Sequence, residues 1–253
     1  MAEQVLKGKN AFVTGGSRGI GRATALALAE AGANVCIAVA HSLDEANEVV
    51  EEVKKLGADG FALVCDVANA DDVQGMVDTT VQRWGSIDIA VNNAGIVNNA
   101  AAEDMPLSQW QRMIDVNLTG VFLCSQAAGR AMIKQGSGGN IINVSSICAS
   151  IVVAPQKQCH YNAAKGGVNM LTKTLAVEWA EHNIRVNTVS PGYIGTKLVA
   201  QMHDLHPTWT GKTPMKRLGE PQEIADVIVF LASPKASFVT GSEWVADGGY
   251  VAL

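Results

Sequence analysis

The stretch Asn10-Ala-Phe-Val-Thr-Gly-Gly-Ser-Arg-Gly-Ile-Gly21 joins a short apolar run to a turn that is rich in glycine. The apolar run, Asn10 to Thr14, has the length and the β-branched character of a buried strand. A helix is predicted from Ile20 to Ala31, and a second strand from Asn34 to Ala40. Strand, helix and strand in this order form a βαβ unit, in which the two strands run parallel.

The same alternation of short apolar runs and helical patterns continues along the chain. Five more strands are predicted over 60–65, 87–91, 140–144, 184–190 and 243–246, with helices over 43–56, 70–84, 108–135, 161–181 and 221–232 between the strands. Strands joined by helices are covered on both faces, which explains their continuous runs of Val, Ile and Ala. The sequence predicts one α/β domain over residues 1–253, a doubly wound, parallel, seven-stranded Rossmann-type sheet with helices on both faces.

Composition narrows the class of protein further. With 253 residues, 48% of them hydrophobic and 17% charged, the chain can bury one large core. The formal net charge of -5 and the lack of a clustered Lys/Arg tract argue against a nucleic-acid surface. No uninterrupted run of about 18 apolar residues predicts a membrane span. We therefore expect a cytoplasmic protein whose partners are small molecules, not nucleic acid or a membrane.

Cysteine and histidine patterns do not predict a metal site. The five cysteines contain no C-x-x-C pair, and we expect buried free thiols. The five histidines show no H-E-x-x-H spacing, and His203-x-x-His206 alone supplies too few ligands. Residues 195–216 are the one stretch with weak periodicity, and we expect this segment to act as a mobile lid over the substrate.

The glycine-rich turn predicts a dinucleotide site, because ligands of doubly wound sheets bind beyond the carboxyl ends of the strands. Its pattern is G-x-x-x-G-x-G. Glycines let the backbone turn tightly and approach a pyrophosphate, whose charge then lies at the N-terminus of the next helix. The predicted contacts are Gly15, Ser17, Arg18, Gly19, Ile20 and Gly21.

The end of the second predicted strand indicates which dinucleotide binds. An acidic residue there would bond the ribose 2′-hydroxyl and repel a 2′-phosphate, but His41 and Ser42 stand at this place. Both can donate hydrogen bonds to phosphate oxygens, and Arg18 adds a fixed positive charge. NADP(H) is therefore predicted in preference to NAD(H), and use of NAD(H) stays open.

Tyr161 and Lys165 are candidates for proton transfer. Their spacing of four residues puts both on one face of the predicted helix. A cation about one helical turn from a phenol is expected to lower the pKa of the phenol and so make it a better acid. On spacing alone, the two residues are equally consistent with a solvated helix face.

Further motifs occur in order along the chain. They are Thr14-Gly15-x-x-x-Gly19-x-Gly21, Asp66-Val67, Asn92-Asn-Ala-Gly95, Asn117, Asn143-Val-Ser-Ser146, Tyr161-x-x-x-Lys165, Pro191-Gly-x-Ile-x-Thr196 and Asp247-Gly-Gly249. In this set the sequence resembles the short-chain dehydrogenases/reductases over nearly its whole length. The resemblance implies an enzyme that transfers hydride between a nicotinamide dinucleotide and a carbonyl or secondary alcohol.

The resemblance implies four catalytic residues. Tyr161 would be the acid and base, and Lys165 would lower its pKa and bind the nicotinamide ribose. Ser146 would hold the substrate oxygen. Asn117 would anchor a water relay, with a buried Asn that only ties two helices as the alternative.

The resemblance also implies the remaining cofactor contacts and an assembly. The contacts are Asp66, Val67, Asn93, Ala94, Gly95, Pro191, Gly192, Ile194 and Thr196, together with Tyr161 and Lys165. Asn92 is either a support for the cofactor or wholly structural, and Asp247-Gly-Gly249 is expected to be architectural. The assembly that the resemblance implies is a homotetramer.

The loop before Tyr161 bears on the substrate. Residues 147–160 are similar to the corresponding loop of polyol dehydrogenases, and Gln156, Gln158 and His160 can hydrogen-bond sugar hydroxyls, as an exposed polar loop also would. With Ser146 and Tyr161, Gln156 and His160 complete the predicted substrate contacts. The favoured function is a carbonyl reductase or polyol dehydrogenase that acts on ketoses, polyols or small ketones.

Two other functions stay open. The first is a 3-oxoacyl-thioester reductase, whose acyl-carrier-protein partner would need a basic patch. Candidates for that patch, Arg112, Arg130, Lys134 and Lys173, are scattered in sequence. The second is a non-catalytic dinucleotide sensor, against which the intact Ser146, Tyr161 and Lys165 argue.

Overall fold

A computed structural model of the chain describes residues 4–41 and 43–253. Over these residues, seven strands form one parallel sheet in the order β3-β2-β1-β4-β5-β6-β7. They are β1 (Asn10–Thr14), β2 (Asn34–Val39), β3 (Gly60–Val64), β4 (Ile89–Asn92), β5 (Gly139–Val144), β6 (Ile184–Pro191) and β7 (Glu243–Ala246). The doubly wound sheet predicted from the sequence is confirmed.

Helices connect the strands and cover both faces of the sheet. They are α1 (Gly19–Glu30), α2 (Asp44–Lys55), α3 (Ala70–Trp84), α4 (Leu107–Ile114), α5 (Gly120–Gln135), α6 (Cys159–Trp179), α7 (Lys197–Ala200), α8 (His206–Lys212) and α9 (Pro221–Ala232). Segment 195–216 contains α7 and α8, and its weak periodicity comes from helices too short to show a repeat. No helix in the described part of the chain is both long and apolar enough to cross a membrane.

The prediction of one continuous helix over 108–135 is wrong in one respect. A π-helical turn, Asp115–Thr119, separates α4 from α5. Asn117 lies in this turn, and its side-chain amide donates to the backbone oxygens of Met113 at 3.1 Å and Ile96 at 3.0 Å. Such single wide turns inside helices occur mostly at functional sites.

Two apolar layers fill the space between sheet and helices. Val13 and Ile37 pack with α1, α2 and α9 on one face. On the other face, Phe12 and Ile141 pack with α3, α5 and α6. Phe12 and Val13 are neighbours on β1 and point to opposite faces, as the alternation of side chains along a strand requires. The strands are therefore buried on both sides, as a parallel sheet needs.

The order of strands reverses at β1. Its neighbours are β2 and β4, so the connections that leave β1 and β4 run to opposite faces of the sheet. In open α/β sheets this arrangement leaves a crevice at the carboxyl ends of the strands, where ligands bind.

Candidate active site

The crevice at the reversal point is lined by residues 14–21 and 92–95, here called the glycine crevice. Gly15 and Gly19 have φ angles of +64° and +54°, a region that favours glycine. A Cβ atom on Gly21 would collide with the backbone oxygen of Gly15. The turn therefore needs glycine at these three positions.

Thr14 and Asn93 hold the glycine turn in place. The Thr14 hydroxyl oxygen accepts from the backbone N–H groups of Asn93 and Ala94, each at 3.0 Å. The Asn93 side-chain amide donates to the backbone oxygens of Thr14 at 2.9 Å and Gly15 at 3.2 Å. Asn93, predicted as a cofactor contact, thus braces the turn that would carry the cofactor.

The start of α1 suits an anion. Arg18 is its N-cap residue, yet no side chain caps the helix and no acidic residue lies in its first turn. The N–H groups of that turn and the positive end of the helix dipole therefore stay available for a phosphate. Ser17 is half-buried in the turn, and Ile20 packs against the apolar core. A dinucleotide pyrophosphate fits these backbone groups.

The edge of the crevice at β2 carries positive charge. Arg18 and His41 are both exposed there. The predicted contact Ser42 lies outside the described residues. The Lys197 ammonium lies 3.7 Å from the Glu45 carboxylate, which links the start of α7 to the start of α2.

Asp66 and Val67 follow β3 and are already engaged within the protein. The Asp66 carboxylate accepts from the backbone N–H of Ala68 at 3.0 Å and pairs with Arg112 at 3.4 Å. Val67 is buried against Gly120, where an added Cβ would lie 2.8 Å from the Val67 side chain. Both residues thus shape the wall of the crevice beyond β3.

The turn after β6 closes the crevice from the other side. Pro191 ends the strand, and the Gly192 N–H donates to the Ala246 oxygen at 3.0 Å. Ile194 is buried. The Thr196 methyl group faces Gly19, since a Cβ built on Gly19 would lie 3.1 Å from it. Residues 191–196 therefore meet the glycine turn across the crevice.

Ser146, Tyr161 and Lys165 come together beyond β5. The Ser146 hydroxyl oxygen accepts from the backbone N–H of Cys148 at 3.1 Å, which leaves the hydroxyl proton free to donate elsewhere. The Lys165 ammonium donates to the backbone oxygen of Val144 at 2.8 Å and lies 5.6 Å from the centre of the Tyr161 ring. The structure thus brings the three predicted side chains into one small volume.

No effect of Lys165 on the pKa of Tyr161 is resolved in this structure, and the lowering expected from the sequence stays a prediction. Burial raises the pKa of Tyr161 above its ordinary value, and the Cys148 thiol adds to the effect, while a hydrogen bond from Ser146 lowers it. Burial also lowers the pKa of Lys165 to about 8. The physical reason is that burial disfavours the charged form of each group. Lys165 is almost fully buried and its ammonium is engaged with the Val144 oxygen, whereas Tyr161 is half-buried.

Asn117 and Gly95 join this set to the glycine crevice. Asn117 is fully buried, and its Oδ1 accepts from the Ile96 N–H at 3.2 Å. A Cβ on Gly95 would lie 2.7 Å from Asn117 Oδ1 and 3.8 Å from the Lys165 ammonium. The absence of a side chain at Gly95 therefore lets the crevice reach Lys165.

Asn92 and Asp247 have structural roles. The Asn92 amide donates to the Ser125 hydroxyl at 2.9 Å and to Asn143 Oδ1 at 2.8 Å. These bonds tie β4 to α5 and β5 inside the core. The Asp247 carboxylate accepts from the N–H groups of Gly249 at 2.8 Å and Val251 at 2.7 Å, which fixes the chain after β7.

The prediction that His160 contacts the substrate is not supported by its position. Its side chain is fully buried, and its Nε2 lies 2.7 Å from Asn98 Oδ1. Adjacent residues on a helix point about 100° apart, so His160 and Tyr161 point in different directions. Gln158 is likewise buried and donates to the Cys148 sulfur at 3.2 Å.

Gln156 leads to an aromatic group that is not among the substrate contacts predicted from the sequence. Its amide donates to the Tyr193 hydroxyl at 3.1 Å, and the Tyr193 ring stacks on Trp209 with centroids 4.3 Å apart. Tyr250 meets the same ring edge-on at 5.5 Å. We call the region formed by residues 146–161, Tyr193, Trp209 and Tyr250 the substrate pocket. Tyr193 directly follows the carboxyl end of a strand, a position that could have marked it.

A cleft lies beside this pocket and shares Gln156 with it. Its volume is about 390 Å³, and it is lined by residues 99–101, residues 155–157 and Leu205. The backbone N–H of Ala100 donates to the Lys157 oxygen at 2.9 Å, which joins two of its walls. Within the described residues, no group of three or more His, Cys, Asp or Glu side chains could hold a metal ion.

Fold, glycine crevice and clustered Ser146, Tyr161 and Lys165 together define a dinucleotide-dependent oxidoreductase. A family profile described as enoyl-(acyl carrier protein) reductase matches residues 15–251. The chain belongs to the short-chain dehydrogenase/reductase family, which confirms the resemblance noted in the sequence. It is accordingly an enzyme of a family that uses a nicotinamide dinucleotide.

Individual relatives are similar over the whole chain. A 3-oxoacyl-acyl-carrier-protein reductase of Synechocystis sp. is 43% identical over 242 residues, which cover 95% of this chain and 96% of that protein. The corresponding reductase of Staphylococcus epidermidis is 44% identical, with 95% and 98% covered. A short-chain type dehydrogenase/reductase from Mycobacterium marinum has a crystal structure that superimposes with a TM-score of 0.95 at 49% identity, covering 98% and 97% of the two chains. The Synechocystis and Staphylococcus relatives are both named as 3-oxoacyl-acyl-carrier-protein reductases, and neither is named as a polyol dehydrogenase.

Proposed function

We propose that the protein is an NADPH-dependent reductase of 3-oxoacyl thioesters, the function first set as the alternative to a polyol dehydrogenase. The observation that carries this proposal is the identity of 43% and 44% to two reductases of this kind across nearly the whole chain. The grouping of Ser146, Tyr161 and Lys165 agrees with it, since these side chains can hold a carbonyl oxygen and protonate it.

The roles of the catalytic side chains follow from their contacts. Ser146 donates its hydroxyl proton to the carbonyl oxygen of the substrate, in place of the hydrogen bond that it gives to Tyr161 in the free protein. Tyr161 gives its proton to that oxygen, and its raised pKa keeps it protonated near neutral pH. Lys165, with a pKa of about 8, returns a proton to Tyr161. Asn117 anchors the path by which Lys165 regains a proton. The bound dinucleotide supplies the hydride.

NADP(H) is the proposed dinucleotide, and NAD(H) is the second candidate. The exposed Arg18 and His41 support this preference, since a 2′-phosphate placed at the end of β2 would meet positive charge and a hydrogen-bond donor. We also propose that residues 195–216 close over the bound dinucleotide as a lid. Thr196 against Gly19 and Lys197 beside Glu45 support this role.

Reduction of ketoses and oxidation of polyols form the second candidate function. One observation favours it. The Gln156 Oε1 atom is buried and has no hydrogen-bond partner in the described part of the protein. A hydroxyl group of a sugar would supply the missing donor.

A homotetramer and a carrier-protein partner are further proposals. On α5 and α6, Phe122, Met170 and Val177 are exposed apolar side chains that an assembly would cover. Arg130 and Lys173 are exposed on the same two helices, so they offer positive charge to an acidic carrier only where the assembly leaves them uncovered.

The test is an assay of NADPH and NADH oxidation with an acetoacetyl thioester, fructose and an aryl ketone. We expect the thioester to be reduced with the highest kcat/KM and NADPH to be preferred. Faster reduction of fructose than of the thioester would establish the second candidate instead. If no carbonyl compound is reduced with either dinucleotide, both proposed substrate classes are wrong.

A further inference from the structure

Tyr193 is held by three separate segments of the chain. Gln156, in the loop before α6, donates to its hydroxyl oxygen at 3.1 Å. Trp209, in α8, stacks on its ring at an interplanar angle of 12°, and Tyr250 contacts the ring from the C-terminal segment at 70°. An aromatic side chain held in this way has little freedom to move away from a ligand.

Tyr193 and Tyr161 border the same space. Both rings pack against the apolar cluster formed by Ile147, Cys148 and Val153. The Cys148 thiol lies near enough to both phenols to raise the pKa of each. Gln156, which holds the Tyr193 hydroxyl, also lines the neighbouring cleft. A substrate whose carbonyl lies at Tyr161 therefore has Tyr193 on another wall of the same space.

The chemistry of the Tyr193 hydroxyl suits the recognition of an oxygen atom. Burial raises the pKa of Tyr193 above its ordinary value, so the phenol keeps its proton. A hydroxyl that accepts from Gln156 still has its own proton to donate. The Tyr193 hydroxyl forms a hydrogen bond with the Tyr250 hydroxyl. An oxygen atom of the substrate can compete with Tyr250 for the Tyr193 proton.

We propose that Tyr193 determines specificity by donating a hydrogen bond to a second oxygen of the substrate, beyond the carbonyl that is reduced. The proposal rests on the proposed function of the site as a carbonyl reductase. In a 3-oxoacyl thioester the second oxygen is that of the thioester carbonyl, and in a ketose it belongs to a hydroxyl group. Gln156 and Trp209 are positioning residues, which act on the substrate through Tyr193.

The test compares Tyr193→Phe with the unaltered enzyme on three substrates. They are an acetoacetyl thioester, a hydroxyketone, and a cyclic ketone that has one oxygen only. For the substrate that carries the recognised oxygen, we expect kcat/KM to fall about tenfold, because the pocket then offers that oxygen no donor. For the cyclic ketone we expect a change below about twofold, because the ring and its packing remain.

Two further variants separate recognition from packing. Thr79→Val removes a hydroxyl from the exposed face of α3, outside the substrate pocket, and is expected to leave the ratio between the substrates unchanged. Gln156→Leu removes the group that orients Tyr193, and we expect a smaller loss, about threefold, again confined to substrates with a second oxygen. Dinucleotide binding and the thermal unfolding temperature of each variant check that the fold is intact.

The outcomes distinguish the inference from the function on which it rests. An equal loss on all three substrates would make Tyr193 a packing residue only and overturn the inference. If the unaltered enzyme reduces the hydroxyketone but not the thioester, the proposed function fails, while the loss in Tyr193→Phe still decides the inference on the hydroxyketone. If the unaltered enzyme reduces none of the three, both are wrong.

Discussion

In the glycine crevice, backbone groups and bare Cα positions define the surface, whereas in the substrate pocket side chains from distant segments define it. The crevice is fixed by bonds such as those from Asn93 to the oxygens of Thr14 and Gly15. The pocket depends on Tyr193 meeting Gln156 and Trp209, which lie far apart in sequence. The difference teaches that dinucleotide binding depends on shape at a few glycines, while substrate choice depends on side chains that can change without disturbing the fold.

The comparison predicts that binding and turnover can be separated, most clearly at Tyr161. Tyr161→Phe keeps the ring but removes the proton donor, so we expect kcat to fall about 1,000-fold. Affinity for the dinucleotide should change little, because the glycine turn lies on a different element. Turnover and fluorescence titration with NADPH measure the two effects. Near-normal kcat would refute the assigned role, and a large loss of NADPH affinity would show that crevice and pocket are not separable.

Gly21→Ala is the opposite change, made in the crevice. The added methyl group would collide with the Gly15 oxygen and lie 2.5 Å from the Asn93 amide nitrogen. We expect affinity for NADPH to fall about 100-fold, since the turn must shift to relieve the contact. Gly75→Ala is the matched control, because Gly75 lies in a helix with nothing within 4 Å of an added Cβ. That variant should bind NADPH normally, and its free energy of unfolding should be about 1 kcal/mol higher.

The two regions also differ in how far the sequence predicts them. β1 begins and ends at the predicted residues, and the glycine turn follows it, because strand, turn and helix start are local features. Tyr193 stacking on Trp209 arises only from the packing of α8 against the turn after β6, which no short pattern records. His160 lies buried beside Asn98, a long-range contact that the loop sequence likewise does not record, and its contact with the substrate stays a prediction.

Arg18→Ala sharpens the comparison inside the crevice, because it alters a side chain and leaves the backbone turn intact. We expect NADPH affinity to fall about tenfold and NADH affinity to stay nearly constant, since only NADPH carries the 2′-phosphate. Arg22→Ala, on the same helix, is the control, because Arg22 is already paired with Glu52 at 2.6 Å. An equal loss for both dinucleotides would mean that Arg18 does not read the 2′-phosphate.

The smallest expected effect lies where the two regions meet. The Lys197 ammonium reaches Glu45 at 3.7 Å, and the two side chains are 81% and 52% exposed, so the pair is weak and open to salt. If it helps to hold residues 195–216 over the crevice, Lys197→Ala should speed NADPH dissociation about threefold at low salt.

Stopped-flow measurement of NADPH release, repeated near 1 M salt, tests this contact, because the screening length there is only about 3 Å. At high salt the unaltered enzyme and Lys197→Ala should release NADPH at the same rate. Lys54→Ala, which breaks the exposed pair of Lys54 with Glu51 on the same helix as Glu45, should change neither rate. A difference that persists at high salt would show that Lys197 acts through packing or through the dinucleotide itself. Residues 195–216 would then form part of the glycine crevice instead of a separate lid between the crevice and the substrate pocket.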